Sequence, residues 1–221
     1  MNKFDKILSY LYPKNICTTS SELNSLLEVV YQDGRYQLNS VTTNYSYGGL
    51  YELFKLIFRD VKIDWVKVNE VLILGFGTGC TVPLIRSYST DCHIVGVEID
   101  EKVIELGKTY FDTEKLTNTV VVCDSAVNFI ASTNQKFDLV IIDVYVDNVV
   151  PKEVETITFL QNLKMTLNQD GMVIFNKLIC SREVKHQIPA LEHLYRTIFD
   201  IVELRTIMQT GAIFVARNKN R

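Results

Sequence analysis

Cysteine and proline are sparse in this sequence, and the few that occur follow no pattern that would build a disulfide frame. The 221 residues include five cysteines and four prolines, and no two cysteines form a C-x-x-C pair. An odd and scattered set of cysteines indicates reduced thiols, as in a cytoplasm, and provides no ligand set for structural zinc. We therefore expect a cytoplasmic protein that holds no metal.

The sequence also lacks long apolar runs and an excess of positive charge. No run approaches the roughly 20 apolar residues that cross a membrane, and the N-terminus carries an acid and no small-residue cleavage site. The formal net charge of −3 gives no electrostatic reason to bind nucleic acid. We expect a small-molecule substrate, with neither nucleic acid nor membrane as a partner.

Residues 1–65 form an N-terminal region that is distinguished by a β-hairpin pattern. Residues 26–31 and 36–41 are predicted strands, and the Asp33-Gly34 dipeptide between them is favoured in a tight two-residue turn. One helix is predicted before this hairpin, over 7–11, and another after it, over 51–58.

Residues 66–221 are predicted to form a second, Rossmann-like domain, because strand patterns alternate with helix patterns there. The strands are predicted over 71–75, 93–98, 119–123, 137–143 and 171–176. The helices are predicted over 79–88, 101–110, 125–131, 153–167 and 183–199. Two closing strands, over 200–205 and 212–217, can pair as a hairpin. We therefore predict an α/β fold with a mostly parallel sheet of seven strands, in which the last hairpin is antiparallel.

The segment from Val71 to Gly79 has the pattern of a cofactor-binding turn. An apolar strand leads into Gly75, Gly77 and Gly79, which open a predicted helix, and the next strand ends on Glu98. Glycines let the main chain approach a ligand, and a strand-end acid accepts hydrogen bonds from ribose hydroxyls. The pattern therefore predicts a cofactor that contains adenosine.

The spacing of the motif separates the possible cofactors. Cys80 stands where a dinucleotide site has its third glycine, which disfavours a nicotinamide cofactor. No G-K-[ST] follows the glycines, which excludes a phosphate-binding P-loop. Two further strand-end acids, Asp124 and Asp143, together with the reversed final hairpin, favour S-adenosylmethionine or a close relative of it.

Residue by residue, the chain resembles the spermidine synthase-like branch of the class I S-adenosylmethionine-dependent methyltransferase superfamily. Ordinary methyltransferases usually carry an acid at the position of Ile73, whereas this branch has an apolar residue there. The resemblance covers almost the whole chain and implies a possible homodimer. The segments that carry it are 33–38, 45–50, 71–79, 97–105, 110–111, 122–124 and 137–143.

The resemblance also implies roles for the residues of the site. The glycine turn, including Thr78, would approach the tail and the ribose of the cofactor. The remaining cofactor-binding residues would be Glu98 for the ribose hydroxyls, Ile99 against the adenine, Asp124 with its neighbour Ser125 at the adenine amino group, and Asp143 facing the sulfonium and the nucleophile. Structural roles stay open for the acids, because Asp124 can cap the following helix and Asp143 can merely shape the pocket.

The chain departs from a polyamine synthase at Thr78, where the matching enzymes have an aspartate. Polyamine synthases use decarboxylated S-adenosylmethionine, whose tail ends in an ammonium. An aspartate would repel the carboxylate of intact S-adenosylmethionine by about 4 kcal/mol at about 4 Å and an effective dielectric of about 20. Because Thr78 is neutral, we predict that the chain binds the intact cofactor.

We therefore predict an S-adenosylmethionine-dependent methyltransferase that acts on an unidentified small molecule. Asp143 would orient or deprotonate the nucleophile with help from Asp147, which can also be a solvated structural residue. Tyr45, Tyr47 and Tyr145 would bind the substrate as aromatic walls of the pocket, although Tyr45 and Tyr47 can instead pack within the hairpin. Two alternatives remain, namely a divergent aminopropyltransferase that uses decarboxylated S-adenosylmethionine and a nucleoside-binding protein without catalysis.

Overall fold

The computed structural model describes residues 3–41, 44–46, 48–146, 149–208 and 211–218, and for residues 3–5 and 44–46 it describes the main chain alone. In chain order, the N-terminal elements are α1 (Lys3–Leu8), β1 (Lys14–Thr19), β2 (Leu27–Gln32), β3 (Arg35–Asn39), β4 (Asn44–Ser46) and α2 (Gly49–Asp60). The four strands form one antiparallel sheet in the order β1-β2-β3-β4.

The predicted hairpin is present in this small sheet. Gln32 pairs with Arg35, and Asp33 and Gly34 both have positive φ angles, of 53° and 74°, as a type I′ turn requires. The prediction did not include β1 and β4. In β1 no residue is fully buried, so the strand lacks an alternation of apolar and polar residues, and β4 has only three residues.

The second part of the chain forms a larger sheet. Its strands are β5 (Glu70–Leu74), β6 (His93–Glu98), β7 (Thr119–Cys123), β8 (Phe137–Ile142), β9 (Leu167–Leu178), β10 (Ile201–Ile207) and β11 (Gly211–Arg217). They lie in the order β10-β11-β9-β8-β5-β6-β7. The pairs from β9 to β7 are parallel, whereas β11 runs antiparallel to both β9 and β10. The predicted α/β fold with an antiparallel final hairpin is confirmed.

The helices between these strands are α3 (Val82–Arg86), α4 (Glu101–Tyr110), α5 (Ala126–Ser132), α6 (Ile157–Met165) and α7 (Arg182–Ile198). Two of them are shorter than predicted. The predicted helix 79–88 starts only after Gly79, whose φ of 73° is not helical. The predicted helix 153–167 is divided at Thr156, which caps α6 by accepting a hydrogen bond from Phe159 N at 3.2 Å. At the N-terminus, the helix predicted over 7–11 lies at 3–8.

Both faces of the larger sheet are buried, which is usual for a parallel sheet. Alternate residues of the strands, such as Leu72 and Leu74, pack against α6 and α7, and the intervening ones, such as Ile73, pack against α2 and α3. The small sheet packs its apolar residues on α4. The domain boundary at residue 65 stays a prediction, although α2 shares the core of the larger sheet. None of the helices in the described ranges is long and apolar enough to span a membrane.

This topology gives the site its location. The chain turns from β5 towards β6 and β7 on one side and returns to β8 on the other side of β5. In open α/β sheets ligands bind outside the carboxyl ends of the strands at such a switch point. Gly75, Glu98, Asp124 and Asp143 all lie at those ends.

Candidate functional site

The glycine turn packs directly on the end of β8. Gly75, Gly77 and Gly79 have positive φ angles of 82°, 55° and 73°. A Cβ atom at Gly75 would lie only 2.1 Å from the carbonyl oxygen of Asp143. Gly75 is therefore required by the close approach of the turn to Asp143 as well as by its backbone conformation.

Glu98 connects the glycine turn to the tip of β6. Its side chain is buried, with 6% exposed. Its Oε2 accepts a hydrogen bond from Gly77 N at 2.8 Å, and its Oε1 accepts one from Asp100 N at 3.1 Å. Burial raises the pKa of Glu98, and these N–H donors partly lower it. Since a carboxylate has about four acceptor positions, Glu98 retains capacity for two ribose hydroxyls.

A cavity of about 350 Å³ opens beside Glu98, and we call it the Glu98 cavity. Of the predicted site residues it contains Gly75, Glu98, Ile99, Asp124, Ser125 and Tyr145. The other residues that line it are Val97, Ala126, Val127, Asn128, Val144, Val146, Pro151, Glu153 and Val154. Ile99 is 48% exposed although it is apolar, so it offers a free surface to a flat ring. Apolar walls with a few acids at the rim suit an adenosine group.

Asp124 and Ser125 together start α5 at the edge of this cavity. Asp124 Oδ1 accepts a hydrogen bond from Ser125 N at 2.7 Å, and Ser125 Oγ caps the helix by accepting one from Asn128 N at 3.0 Å. The capping residue is therefore Ser125, and Asp124 keeps one carboxylate oxygen for a ligand. Their predicted roles in cofactor binding remain predictions.

Thr78 and the last two glycines of the turn do not line the Glu98 cavity. Thr78 is only 2% exposed, and its hydroxyl oxygen has no hydrogen-bond partner among the described residues. A buried hydroxyl without a partner carries a desolvation cost. Its predicted contact with the tail of the cofactor remains a prediction.

Asp143 lies where β8 ends, between the glycine turn and β9. Its main-chain N donates to Leu74 O at 2.8 Å, and its Oδ1 accepts a hydrogen bond from Asn176 Nδ2 at 2.9 Å. The pKa of Asp143 is raised from 3.8 to about 7, chiefly by burial; the hydrogen bond from Asn176 acts in the opposite direction, and the charge of Glu98 adds to the rise. A carboxyl group with this pKa can gain and lose a proton near neutrality.

Tyr145 lines the cavity with its ring but uses its hydroxyl elsewhere. The hydroxyl donates to Asn176 O at 2.5 Å and accepts from Leu178 N at 2.9 Å. These are main-chain groups of β9 just beyond the point where β8 stops pairing with it. Tyr145 thus forms hydrogen bonds with β9 beyond the end of β8, and these bonds fix the start of the segment 143–155.

Sequence reasoning missed three residues near this point, all on or facing β9. Asn176 binds Asp143, and Lys177, which is 4% exposed, forms an ion pair with Glu155 at 2.5 Å. The available signal was the change from the apolar run 172–175 to two polar residues at a strand tip, the same signal that identified Asp143.

Three predicted residues cannot be placed. Asp147 and Tyr47 lie outside the described residues, and the side chain of Tyr45 is not among those described. The roles predicted for them remain predictions. Among the described residues, no group of three or more acids, histidines and cysteines is arranged to hold a metal ion.

Known proteins share both the sequence and the fold of this chain. Residues 56–220 match the spermine/spermidine synthase domain. A probable polyamine aminopropyl transferase of Bifidobacterium longum is 32% identical over 108 residues, which are 49% of this chain and 24% of that protein. The polyamine aminopropyltransferase of Vibrio vulnificus is 26% identical over 136 residues, which are 60% of this chain and 44% of that protein. The chain thus matches less than half the length of either curated relative.

The fold comparison covers more of the chain. A probable spermidine synthase from Corynebacterium glutamicum superimposes with a TM-score of 0.75, over 91% of this chain and 79% of that one. The two sequences are 16% identical, so this likeness concerns the fold.

The relatives contradict our prediction of a methyltransferase. Both curated relatives are named for aminopropyl transfer, and the matching domain is that of spermine and spermidine synthases. The prediction was wrong because it treated the absence of a negative charge at Thr78 as evidence that the site prefers intact S-adenosylmethionine. A neutral Thr78 removes repulsion from a carboxylate, but it supplies no positive charge that would bind one.

The resemblance from which the site roles were taken is confirmed, because the domain match includes the glycine turn and every strand of the larger sheet. On that match, over 56–220, this chain belongs to the spermine/spermidine synthase domain family.

Proposed function

We propose that this chain is an aminopropyltransferase, which transfers the aminopropyl group of decarboxylated S-adenosylmethionine to an amine. The observation that carries the proposal is the carboxyl group of Asp143, which has a pKa of about 7 and lies beside the glycine turn of a spermine/spermidine synthase domain. The names of the curated relatives support the same reaction.

The residues of the Glu98 cavity fit the adenosine part of this donor. The cavity volume of about 350 Å³ lies within the usual range for small-molecule sites, roughly 300–1,000 Å³. Ile99 offers an apolar surface for the adenine, and Asp124 and Glu98 offer acceptors for its amino group and the ribose hydroxyls. When bound, the sulfonium donor supplies an electrophilic carbon, whose bond to sulfur breaks as the electron pair leaves with the sulfur.

The task left to the protein is to remove a proton from the acceptor amine. A free alkylamine has a pKa of about 10 and arrives as an ammonium, which has no lone pair with which to attack carbon. Asp143 is ionised above pH 7 and can take this proton, because the best general base has a pKa near the working pH.

The hydrogen bonds of Asp143 indicate which oxygen acts. Oδ1 is held by Asn176 at 2.9 Å, whereas no described residue provides a partner for Oδ2. Oδ2 is therefore the oxygen that we assign to the proton of the amine. The main chain of Asp143 is fixed to Leu74 O, which keeps the carboxylate next to the glycine turn and the donor.

The proposal is tested by measuring release of methylthioadenosine from decarboxylated S-adenosylmethionine, with and without a panel of mono-, di- and polyamines. We expect release that depends on the amine, and its loss in Asp143→Asn. Asp170→Asn, an exposed acid at the opposite end of the sheet, is the matched control and should retain full activity. A parent protein that binds the donor but releases nothing with any amine would refute the proposal.

A further inference from the structure

Asn176 is placed unusually for an asparagine. It is only 2% exposed, on β9 directly beyond the residues that pair with β8. One end of its amide, Nδ2, donates to Asp143 Oδ1 at 2.9 Å. The other end, Oδ1, is buried and has no hydrogen-bond partner among the described residues. A buried amide oxygen without a partner is costly, so this arrangement calls for a reason.

The main chain at Asn176 is held separately from its side chain. The carbonyl oxygen of Asn176 accepts a hydrogen bond from the Tyr145 hydroxyl, and Leu178 N donates to the same hydroxyl. On the other side, Asn176 pairs with Ile213 of β11. The backbone is therefore fixed, while among the described residues only the bond to Asp143 orients the amide plane.

This combination fits a partner that changes protonation state. A carboxylate can only accept hydrogen bonds, whereas a protonated carboxyl group can donate one. When the proton is on Oδ2, Oδ1 remains an acceptor, so the bond from Asn176 Nδ2 persists and is stronger when the carboxyl group is ionised. Asn176 therefore holds Oδ1 and leaves Oδ2 to exchange the proton.

We propose that Asn176 is the positioning residue of Asp143, because Nδ2 donates to Oδ1 in both protonation states and leaves Oδ2 as the oxygen that receives the proton. The proposal rests on the proposed function for the source of the proton, which is the acceptor amine. The proton passes from the amine nitrogen to Asp143 Oδ2, and the carboxyl group keeps a hydrogen-bonded partner before and after the transfer.

The groups around Asp143 are consistent with this role. Glu98 on β6 is the neighbouring acid whose charge raises the pKa of Asp143. Tyr145 stays neutral, because burial and the charge of Asp143 hold its pKa well above the ordinary value. Lys177 is already paired with Glu155. Of the described side chains, only Asn176 donates a hydrogen bond to the carboxylate of Asp143 and so favours its ionised form.

The parent protein allows a test without any substitution. Asp143 is followed through its side-chain carboxyl ¹³C resonance, and Asn176 through its side-chain amide ¹H and ¹⁵N resonances, from pH 5 to pH 9. We expect both residues to titrate with one midpoint near 7. Amide resonances of Asn176 that do not change while Asp143 titrates would overturn the proposal.

Substitutions give a second test. Asn176→Leu removes both the donor and the acceptor and should raise the midpoint of Asp143 by about one pH unit, since a hydrogen bond to the charged form is lost. Asn176→Gln keeps the amide and should leave the midpoint closer to that of the parent. Asn168→Leu is a matched control, because Asn168 Nδ2 donates to Asp138 Oδ1 at 2.7 Å between the same two strands, far from the cavity. An unchanged midpoint of Asp143 in Asn176→Leu would overturn the proposal. An equal shift of the Asp143 midpoint in Asn168→Leu would also overturn it.

The titration separates this inference from the proposed function. If the protein transfers aminopropyl groups, the acidic limb of kcat/KM should move upward with the midpoint of Asp143 in Asn176→Leu. If no amine is a substrate, the proposed function fails, but the resonances still show whether Asn176 follows the protonation of Asp143. If Asn176→Leu does not fold, the titration of the parent protein decides alone.

Discussion

At the scale of single residues, the contact between Gly75 and Asp143 determines the shape of the site. The glycine turn can approach the end of β8 only because Gly75 has no side chain, since a Cβ would lie 2.1 Å from the Asp143 carbonyl oxygen. The residue that sequence reasoning assigned to cofactor binding is therefore also needed to build the fold. The same contact sets the distance between Asp143 and the glycine turn.

Gly75→Ala should destabilise the protein strongly. The φ of 82° costs an L-residue about 1–2 kcal/mol, and the overlap adds about 1–3 kcal/mol of strain, so we expect a loss of about 2–5 kcal/mol in the free energy of unfolding. Urea unfolding measures this loss. Gly49→Ala in α2, where a Cβ meets nothing within 4 Å, is the control and should not destabilise. Equal unfolding midpoints for the two variants would show that Gly75 is not confined as described.

Asp143→Asn should abolish transfer and alter how stability depends on pH. Without a general base we expect the rate to fall about 100-fold or more, with donor affinity changed only a few-fold. The fall should be largest above pH 7, where the parent carboxyl group is ionised. Rates measured from pH 5 to pH 9 in both proteins test this, and a variant that keeps the parent rate would remove Asp143 from the mechanism.

The stability effect of Asp143 has the opposite sign to its catalytic effect. Its pKa is raised from 3.8 to about 7, so between these pH values the folded protein holds a proton that the unfolded chain releases. The contribution of Asp143 to the free energy of unfolding therefore falls as pH rises, by at most about 1.4 kcal/mol per pH unit, and stays constant above pH 7. The free energy of unfolding of Asp143→Asn, relative to that of the parent, should therefore increase as pH rises over this range and should not change at higher pH. Urea unfolding at pH 4, 6 and 8 measures this difference. A difference that does not vary with pH would contradict the raised pKa.

Sequence patterns could place the acids of the site but not their partners. Glu98, Asp124 and Asp143 were predicted because each follows an apolar strand, and parallel strands bring their ends to one edge. The hydrogen bond from Asn176 and the ion pair of Lys177 depend on side chains that are distant in sequence and adjacent only after β8 and β9 pair. The error at Thr78 had another cause, since a charge comparison was applied to a residue whose surroundings were not known.

At the scale of elements, β9 holds one wall of the Glu98 cavity. The segment 143–155 contributes Tyr145 at its start and Glu155 at its end, and both bind consecutive residues of β9, from 176 to 178. Between these two attachments lie the wall residues Val146, Pro151 and Val154, and Val144 directly precedes the first attachment. The cavity should therefore lose its shape when either attachment is removed.

Lys177→Met should weaken both folding and donor binding. It leaves Glu155 largely buried without its cation, for which we expect a loss of about 3 kcal/mol in the free energy of unfolding and weaker binding of methylthioadenosine. Replacing both partners by methionine should recover most of the stability, because no unpaired charge remains. A double-mutant cycle by urea unfolding and calorimetry measures both quantities.

A surface ion pair is the control for this cycle. Lys102 and Glu105 form an ion pair whose glutamate side chain is 61% exposed, so Lys102→Met should cost less than about 1 kcal/mol. If Lys177→Met costs no more than this control, the buried pair does not secure the segment.

The pattern of apolar residues predicted the strands of the larger sheet well, because a sheet that is buried on both faces has strands with continuous apolar runs. It failed where local hydrogen bonds override the pattern. Thr156 divides a helix that the pattern made continuous, and β9 begins at Leu167, although the pattern predicted a strand only from residue 171. β1 was missed because its residues are held mainly by main-chain pairing with β2.

At the scale of the whole molecule, the Glu98 cavity joins elements that are distant in the sequence. The tips of β5 and β6, the start of α5 and the segment after β8 meet in one cavity. A ligand in that cavity should therefore stabilise the fold as a unit. The predicted boundary at residue 65 and the homodimer remain proposals that sedimentation and limited proteolysis can test.

Decarboxylated S-adenosylmethionine and methylthioadenosine should both raise the melting temperature. At a free concentration of about 100 times Kd, binding adds about 2.7 kcal/mol, which corresponds to roughly 5–10 °C for a chain of this size. Thermal unfolding followed by circular dichroism measures the shift. NAD is the control ligand and should produce none, and an equal shift with NAD would point away from a site for a single nucleoside.

The most direct test of the proposed function is the mass of the acceptor after reaction. The protein is incubated with an amine panel and with equal concentrations of intact and decarboxylated S-adenosylmethionine, and the amines are analysed by mass spectrometry. We predict an amine whose mass has grown by one aminopropyl group, and no such product with Asp143→Asn. An amine that has gained only a methyl group, or a panel left unmodified while the donor binds, would contradict aminopropyl transfer by this chain.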